Sequence, residues 1–269
     1  MTNIINPILV LGGLGLLFGV LLSIASRVFH VEMDPTVEAV LNSLPGANCG
    51  ACGFPGCEGL ANAISEGKAP VTSCSIGGQK VADKIADIMG VNAGSVEKNI
   101  AVVLCQGDCD KAKNKFQYEG INDCRVANNL VGGPKSCTYG CLGCGSCKDV
   151  CAFDAITMVN GVAVIDKEKC TSCKKCIDIC PRKIIELVPY ENEVVVKCKS
   201  TDTGKEVRSN CSIGCIGCQI CVKNCPEEAF SFENNLARIN YEKCTNCGIC
   251  ASKCPTKAIA MEKKEEVNI

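Results

Sequence analysis

The first 26 residues form an apolar run that contains no Asp, Glu, Lys or Arg. A helix from Ile4 to Ala25 would be about 33 Å long, which is enough to cross a hydrocarbon core of about 30 Å. A secretory signal is the alternative, because Ser23-Ile24-Ala25 loosely resembles a cleavage site. The segment is long and has no basic start, however, so we expect residues 1–30 to be an uncleaved transmembrane anchor.

After the anchor, the apolar positions follow a helical period. Asp34-Pro35 is typical of a helix start and predicts a short helix from Pro35 to Leu44. A second helix is expected to begin at Cys57, and an amphipathic third helix is expected over Gln79–Met89, ending at Gly90. Residues 31–98 should therefore form a small helical domain.

Beyond residue 98 the apolar stretches become short and the pattern repeats. The segment AVIDKEKCTSC at 163–173 returns as ARINYEKCTNC at 237–247, an offset of 74 residues. After each dense cysteine run, an apolar residue follows four or five positions on. This spacing is typical of a short helix that turns into a strand, so the pattern predicts two copies of one small α+β unit.

Composition shows that an ordinary apolar core is scarce. Aromatic residues make up 4% of the chain and Trp is absent, whereas 26 of the 269 residues are Cys. Cysteines in C-x2-C pairs in a long chain indicate metal ligation in a reducing compartment, in preference to a disulfide scaffold. We therefore expect inorganic cofactors to replace the missing core, and removal of the metal to unfold these units.

Four cysteine runs share the spacing C-x2-C-x2-C-x3-C. Bacterial ferredoxins hold 4Fe-4S clusters with this run, and its fourth cysteine ligates the neighbouring cluster. Zinc is the alternative, but zinc sites typically keep two C-x2-C pairs well apart. The predicted ligand sets are Cys141, Cys144, Cys147 with Cys180; Cys170, Cys173, Cys176 with Cys151; Cys215, Cys218, Cys221 with Cys254; and Cys244, Cys247, Cys250 with Cys225.

A fifth set of four cysteines lies in the helical domain. Three of them fall within LPGANCGACGFPGC and the fourth follows after a gap. We expect one 4Fe-4S cluster there, close to the membrane. Its predicted ligands are Cys49, Cys52, Cys57 and Cys74.

Six further cysteines precede the ferredoxin-type runs. The 74-residue offset maps Cys124 onto Cys198 and Cys137 onto Cys211, and each pair has a glycine-containing middle that predicts a hairpin. Because only the first copy adds Cys105 and Cys109, we predict a sixth 4Fe-4S cluster on the first copy, with Cys198 and Cys211 free of metal. The alternative is that both hairpins are structural. The predicted ligands of the sixth cluster are Cys105, Cys109, Cys124 and Cys137.

The predicted fold class is α+β: a transmembrane helix, a small helical 4Fe-4S domain and two tandem ferredoxin-like modules with hairpin insertions. The formal net charge of −1 omits the clusters, each of which adds about −2 with its four thiolates. Lysines inside the cysteine runs, such as Lys148, Lys174 and Lys175, are expected to limit the resulting repulsion. The predicted divisions are residues 1–30, 31–98, 99–137, 138–190 and 191–262, with a charged tail at 263–269.

Nearly the whole chain resembles the B subunit of the Rnf complex, a membrane electron-transfer assembly. The resemblance rests on the anchor running into ASRVFHVEMDP, on LPGANCGACGFPGC and on the ferredoxin-type repeats, in that order. It implies that electrons pass from reduced ferredoxin through this subunit to other membrane subunits and finally to NAD, coupled to sodium or proton movement.

The remaining features favour a subunit of such a translocase with no self-contained catalytic site. The glycine-rich run at 12–19 lies inside the apolar segment, so it fails as a nucleotide-binding fingerprint. We expect a single-pass protein of the inner membrane with its iron–sulfur domains on the cytoplasmic side, and no nucleic-acid partner. Two other hypotheses remain: a polyferredoxin that serves a hydrogenase or another membrane reductase, and a zinc scaffold without redox activity.

Overall fold

The computed structural model describes residues 2–28 and 34–261. The predicted tail at 263–269 and the end of the anchor at residue 30 lie outside these residues. The described chain begins with one long helix, continues with three helices packed together, and then alternates short strands with helices of one or two turns. The first four helices are α1 (Thr2–Val28), α2 (Pro35–Ser43), α3 (Gly56–Ser65) and α4 (Gly78–Met89).

Helix α1 is long and apolar enough to cross a membrane. Its segment Leu9–Ser26 has a mean hydropathy of 2.3, and none of that segment is buried in the fold. Large apolar side chains such as Leu11 and Leu16 are exposed to the surroundings. The helix extends beyond the predicted span Ile4–Ala25 at both ends.

Helices α2, α3 and α4 form a domain with an apolar core of its own. The Asp34 carboxylate caps α2 by accepting the N–H of Thr36 at 2.7 Å, and α4 ends at Gly90, whose φ of 65° is left-handed. Both helix boundaries agree with the signals in the sequence. The largest fully buried side chains of this core are Leu60, Ile64, Ile85 and Val40.

The rest of the chain contains two units of the same topology, each built from two antiparallel two-stranded sheets. In the first unit β1 pairs with β4 and β2 with β3; in the second β5 pairs with β8 and β6 with β7. The strands are β1 (Asn99–Val103), β2 (Ile156–Val159), β3 (Val162–Ile165), β4 (Ile185–Pro189), β5 (Val194–Val196), β6 (Phe230–Glu233), β7 (Leu236–Ile239) and β8 (Ile259–Met261). The helices are α5 (Cys124–Asn129), α6 (Ser146–Asp149), α7 (Lys175–Ile179), α8 (Gly204–Asn210), α9 (Ile220–Lys223) and α10 (Ile249–Ser252).

The first and last strands close each unit. Val103 at the end of β1 faces Ile185 at the start of β4, and Val196 at the end of β5 faces Ile259 at the start of β8. The insertion of each unit follows its first strand directly. The segment 99–137, predicted as a connection, therefore supplies a strand to the first unit.

The predicted hairpin insertions are wrong, because both insertions contain short helices. Asp123 caps α5 by accepting the N–H groups of Arg125 and Val126. In the second insertion, Thr203 and Glu206 form a reciprocal capping box at the start of α8. The capping signal S/T-x-x-E is present in the sequence, but the neighbouring glycine is equally typical of a hairpin turn.

Candidate iron–sulfur sites

The four ferredoxin-type runs share one backbone shape. In each, the chain passes through a left-handed residue and begins a short helix that carries the third cysteine of the run. Gly145, for example, has a φ of 85°, a value that costs glycine little. The third cysteines are all buried: Cys147, Cys176, Cys221 and Cys250.

One cavity brings together a complete predicted ligand set of the first unit. It has a volume of about 340 Å³, including its mouth, and apolar side chains such as Phe153 and Ile156 complete its wall. Three of its cysteines come from one run and the fourth comes from the end of the preceding run, so the set is crossed between runs. The cysteines are Cys151, Cys170, Cys173 and Cys176.

A cavity in the second unit does the same. Its volume is about 390 Å³, and Phe232, Ala237 and Ile259 line it together with the thiols. Here too the fourth cysteine comes from a different run from the other three. The cysteines are Cys215, Cys218, Cys221 and Cys254.

A third cavity, of about 360 Å³, departs from its predicted set at one position. Cys141, Cys147 and Cys180 line it, but the fourth cysteine in its wall is Cys124. Cys144 is buried beside Cys124 in a small cluster with Leu142. Burial raises the pKa of Cys144 to about 11, and the neighbouring Cys124 contributes to the rise. The first unit therefore gathers five thiols at this site where four were predicted.

The remaining run of the second unit places two thiols near a buried third. Burial raises the pKa of Cys250 to about 11, with Cys244 and Cys247 close enough to contribute. Cys225, the predicted fourth ligand, accepts the N–H of Ala229 at 3.4 Å.

The helical domain gathers its cysteines at the edge of its core. Cys52, Cys57 and Cys74 pack against the buried residues of α2 to α4. Burial raises the pKa of Cys74, and the nearby Cys57 and Cys52 thiols raise it further. The Asn48 side chain holds the loop by accepting the N–H of Cys57 at 2.7 Å. Cys49, the fourth predicted ligand, lies in the same loop and is partly exposed.

The chemistry of these thiols fits an iron–sulfur cofactor. Burial raises the pKa of Cys147 and of Cys176 to about 12, and neighbouring thiols contribute to both shifts. Thiols in such sites stay protonated at neutral pH unless a cation is present, and metal binding releases the protons because the thiolate is the ligand. The iron of a bound cluster would supply that positive charge.

Within the described ranges 2–28 and 34–261, no three Cys, His, Asp or Glu side chains converge closely enough to hold one metal ion. Around a single zinc ion, bonds of about 2.3 Å would draw four sulfurs into mutual contact. A 4Fe-4S cluster carries each cysteine on a different iron. Thiols spread around a cavity suit the second arrangement.

The structure does not bring the four members of the predicted sixth ligand set together. Cys105 and Cys137 line one cavity, but the other two cysteines in its wall are Cys198 and Cys211. Cys109 is exposed and lies against Gly161, and its N–H donates to the carbonyl oxygen of Asn160 at 3.0 Å. Cys124 lines the cavity of the first ferredoxin-type run described above.

The predicted set follows from extending the 74-residue offset too far towards the N-terminus. Ile185 and Ile259 obey that offset, but their strand partners Val103 and Val196 do not. The first insertion is longer than the second, because Cys105 and Cys137 are 32 positions apart and Cys198 and Cys211 only 13. Cys198 is therefore the equivalent of Cys105, and the longer insertion contains Cys109 and Cys124 as additional residues.

Two short patterns in the sequence carry the correct repeat. AVVLC at 101–105 matches VVVKC at 194–198, and CTYGC at 137–141 matches CSIGC at 211–215. Sequence reasoning also missed Lys135, which is 4% exposed and lies near the cysteine sites.

Comparison with known families agrees with this geometry. Residues 44–76 match a family model described as an Fe-S cluster, and residues 140–184 and 214–258 match the 4Fe-4S dicluster domain. The chain is therefore an iron–sulfur protein with two dicluster ferredoxin domains and a separate Fe-S domain ahead of them.

Curated relatives cover almost the whole chain. The B subunit of the Na(+)-translocating ferredoxin:NAD(+) oxidoreductase complex of Acetobacterium woodii is 49% identical over 90% of this chain and 73% of its own length. The B subunit of the ion-translocating oxidoreductase complex of Methanosarcina acetivorans is 45% identical over 90% and 92%. The B subunit of the proton-translocating ferredoxin:NAD(+) oxidoreductase complex of Clostridium ljungdahlii is 42% identical over 91% and 87%. The chain belongs to this family, the B subunits of Rnf-type ion-translocating oxidoreductase complexes, which confirms the resemblance found in the sequence.

Proposed function

We propose that this chain is the iron–sulfur electron-transfer subunit of a membrane-bound, ion-translocating ferredoxin:NAD oxidoreductase. It accepts electrons from reduced ferredoxin and relays them to the other membrane subunits of the complex. The main support is the similarity, over about 90% of the chain, to relatives that are named as subunits of ferredoxin:NAD(+) oxidoreductase complexes. The cavities lined by four cysteines each support it.

Five 4Fe-4S clusters are assigned to the five ligand sets outside the insertions. Each cluster, when bound, takes up and releases one electron. Cys144 is retained in the first set, with Cys124 beside it. The ligands are Cys49, Cys52, Cys57 and Cys74; Cys141, Cys144, Cys147 and Cys180; Cys151, Cys170, Cys173 and Cys176; Cys215, Cys218, Cys221 and Cys254; and Cys225, Cys244, Cys247 and Cys250.

The role of the surrounding chain is to bury these sites and to tune them. The N–H of Ala101 donates to the Cys170 sulfur at 3.3 Å, and the N–H of Ala229 donates to the Cys225 sulfur at 3.4 Å. Hydrogen bonds to ligand sulfurs favour the more negatively charged reduced form and so raise the reduction potential. The apolar walls exclude water and act in the opposite direction.

The topology favours an electron path that ends at the membrane. Helix α1 serves as the anchor, and residues 34–261 lie on the cytoplasmic side, where thiols stay reduced. The helical domain follows the anchor directly, so its cluster is the carrier that membrane subunits can reach. Ferredoxin delivers electrons to the two ferredoxin-like modules.

The Cys52→Ser variant in the assembled complex tests this path. We expect it to lose about four Fe per chain, to remain reducible by ferredoxin through its modules, and to fail to pass electrons to NAD. Anaerobic EPR spectroscopy and NAD reduction by isolated membranes measure the two properties. Cys109→Ser is the matched control, because Cys109 is an exposed cysteine outside the five sets.

Unimpaired NAD reduction by Cys52→Ser would contradict the proposed path. If no membrane subunits co-purify with the chain, it is instead a polyferredoxin that serves another reductase. Colourless protein that binds zinc when prepared without oxygen would end the redox interpretation.

A further inference from the structure

One four-cysteine cavity lies between the two ferredoxin-like modules and belongs to neither of them alone. It has a volume of about 410 Å³, including its mouth. The cavities of the predicted clusters measure about 390, 360 and 340 Å³ on the same scale. Its cysteines are Cys105, Cys137, Cys198 and Cys211.

Each module contributes two of these cysteines from equivalent places. Cys105 follows β1 by two residues, and Cys198 follows β5 by two residues. Cys137 and Cys211 each precede the first cysteine of a ferredoxin-type run by four residues. The four thiols thus form two pairs related by the internal repeat, as expected of one site shared by two modules.

Backbone N–H groups donate to the sulfurs from equivalent positions in both modules. The N–H of Cys141 donates to the Cys105 sulfur at 3.3 Å. In the second module, the N–H of Cys215 donates to the Cys198 sulfur. Cys141 and Cys215 are themselves equivalent positions, each the first cysteine of its run.

The other two sulfurs show the same correspondence. The N–H groups of Tyr139 and Gly140 donate to the Cys137 sulfur. The N–H groups of Ile213 and Gly214, at the equivalent positions, donate to the Cys211 sulfur. Backbone N–H donors around the sulfurs suit thiolate ligands.

Two glycines keep space open beside the sulfurs. A Cβ on Gly107 would lie 3.2 Å from the Cys211 sulfur and 3.8 Å from the Cys105 sulfur. A Cβ on Gly140 would lie 3.6 Å from the Cys137 sulfur and 3.8 Å from the Cys105 sulfur. Each of these pairs of sulfurs is therefore no farther apart than the sum of its two distances, a separation that one 4Fe-4S cube can bridge.

A buried cation adjoins the same site. The Lys135 ammonium donates to the carbonyl oxygens of Gly107 at 2.7 Å and of Gly161 at 3.2 Å, and both acceptors are uncharged. The ammonium is close enough to the Cys211 and Cys141 sulfurs to interact with both electrostatically. A buried charge is costly unless it is compensated, and a cluster with four thiolates carries a net charge of about −2.

We propose that Cys105, Cys137, Cys198 and Cys211 bind a 4Fe-4S cluster at the interface of the two modules. The inference rests on the proposed function, because it assumes that the chain is loaded with iron and sulfide. The site adjoins the first cysteine run of each module through Cys141 and Cys215. It therefore connects the two modules and also fastens them together.

Iron and sulfide analysis of the full-length protein, prepared anaerobically, tests the proposal. The unaltered protein should contain about 24 Fe per chain, and Cys198→Ser and Cys211→Ser should each contain about 20. EPR spectra of the reduced variants should lack one signal and keep the rest. The matched control is Cys109→Ser, which should keep about 24 Fe because Cys109 is exposed and does not line this cavity.

Cys211→Ser covers the case in which Cys198→Ser fails to fold, because Cys211 lines the same cavity. A count of about 20 Fe in the unaltered protein, zinc in place of four of the irons, a loss of iron from Cys109→Ser, or full iron in folded Cys198→Ser or Cys211→Ser would each overturn the proposal. Failure of the proposed function is distinguishable, because it would appear as fully loaded protein that ferredoxin does not reduce.

Discussion

The helical domain and the two ferredoxin-like modules differ in which side chains fill their cores. In the helical domain, aliphatic side chains of α2, α3 and α4 fill the centre, and the cysteines lie at its edge. In the first module, Cys141, Cys147 and Cys176 are themselves members of the buried cluster, beside short strands of four or five residues. The second module repeats this with Cys221 and Cys250.

This difference shows that one chain can use a cluster in two physical roles. At the edge of the aliphatic core of the helical domain, a cluster adds to a core that is complete without it. In the modules, the cluster ligands are themselves part of the buried core. Two-stranded sheets are only marginally stable on their own, so the modules need the additional interaction that iron–thiolate bonds supply.

Removal of iron should have the largest effect. Treatment of the reduced protein with a chelator should unfold both modules, whereas α2, α3 and α4 should keep much of their protection because their core is aliphatic. Hydrogen exchange followed by mass spectrometry measures the two regions in one sample. Equal loss of protection in both regions would contradict the claim that the clusters stabilise the modules more than the helical domain.

Truncation of the aliphatic core should have an intermediate effect, confined to the helical domain. Ile85→Ala removes a side chain with 0% exposure, and such a change typically costs about 2–5 kcal/mol of unfolding free energy. We expect faster hydrogen exchange across α2, α3 and α4 and unchanged iron in the modules. Ile88→Ala on the same helix is the matched control, because Ile88 is 37% exposed. Loss of iron from the modules of Ile85→Ala would mean that the two regions are not independent.

Neutralisation of Lys135 should have the smallest effect and should be limited to the modules. Lys135→Gln keeps a polar side chain beside the carbonyl oxygens of Gly107 and Gly161 but removes a positive charge that favours the reduced clusters. We expect at least one midpoint potential of the modules to become more negative, by an amount on the order of tens of millivolts. Redox titration followed by EPR measures the change.

Lys148→Gln is the control for this charge effect. Lys148 lies inside a cysteine run but is exposed, so water and salt screen its charge. Its removal should shift every potential less than the removal of Lys135 does. The opposite order would contradict the role assigned to burial.

Local signals in the sequence predict local structure well. The run C-x2-C-x2-C-x3-C brings Cys151 into the same cavity as Cys170, Cys173 and Cys176, as the crossed pattern requires. The start of α2 at Asp34 and the end of α4 at Gly90 also follow from single residues with strong conformational preferences.

Features that depend on pairing between distant segments could not be read in the same way. The strand pair β1 and β4 joins residues on either side of a long insertion, and a single offset along the chain hides the true equivalence of Cys105 and Cys198. In the sequence Lys135 resembles any other lysine in a polar segment, because its burial depends on loops from distant parts of the chain. Exposed lysines such as Lys174 attract attention instead, since they lie beside cysteines in the sequence.

The closing strand of the first module has a consequence for synthesis on the ribosome. Val103 can pair with Ile185 only after the ribosome has added the 82 residues that lead to Ile185. At about 5–20 residues per second, that delay is roughly 4–16 seconds. The delay between the synthesis of Cys105 and that of Cys198 and Cys211 is longer still. The nascent chain therefore presents unpaired thiols while its partners are being translated, and the interface cluster can only be inserted once both modules have emerged.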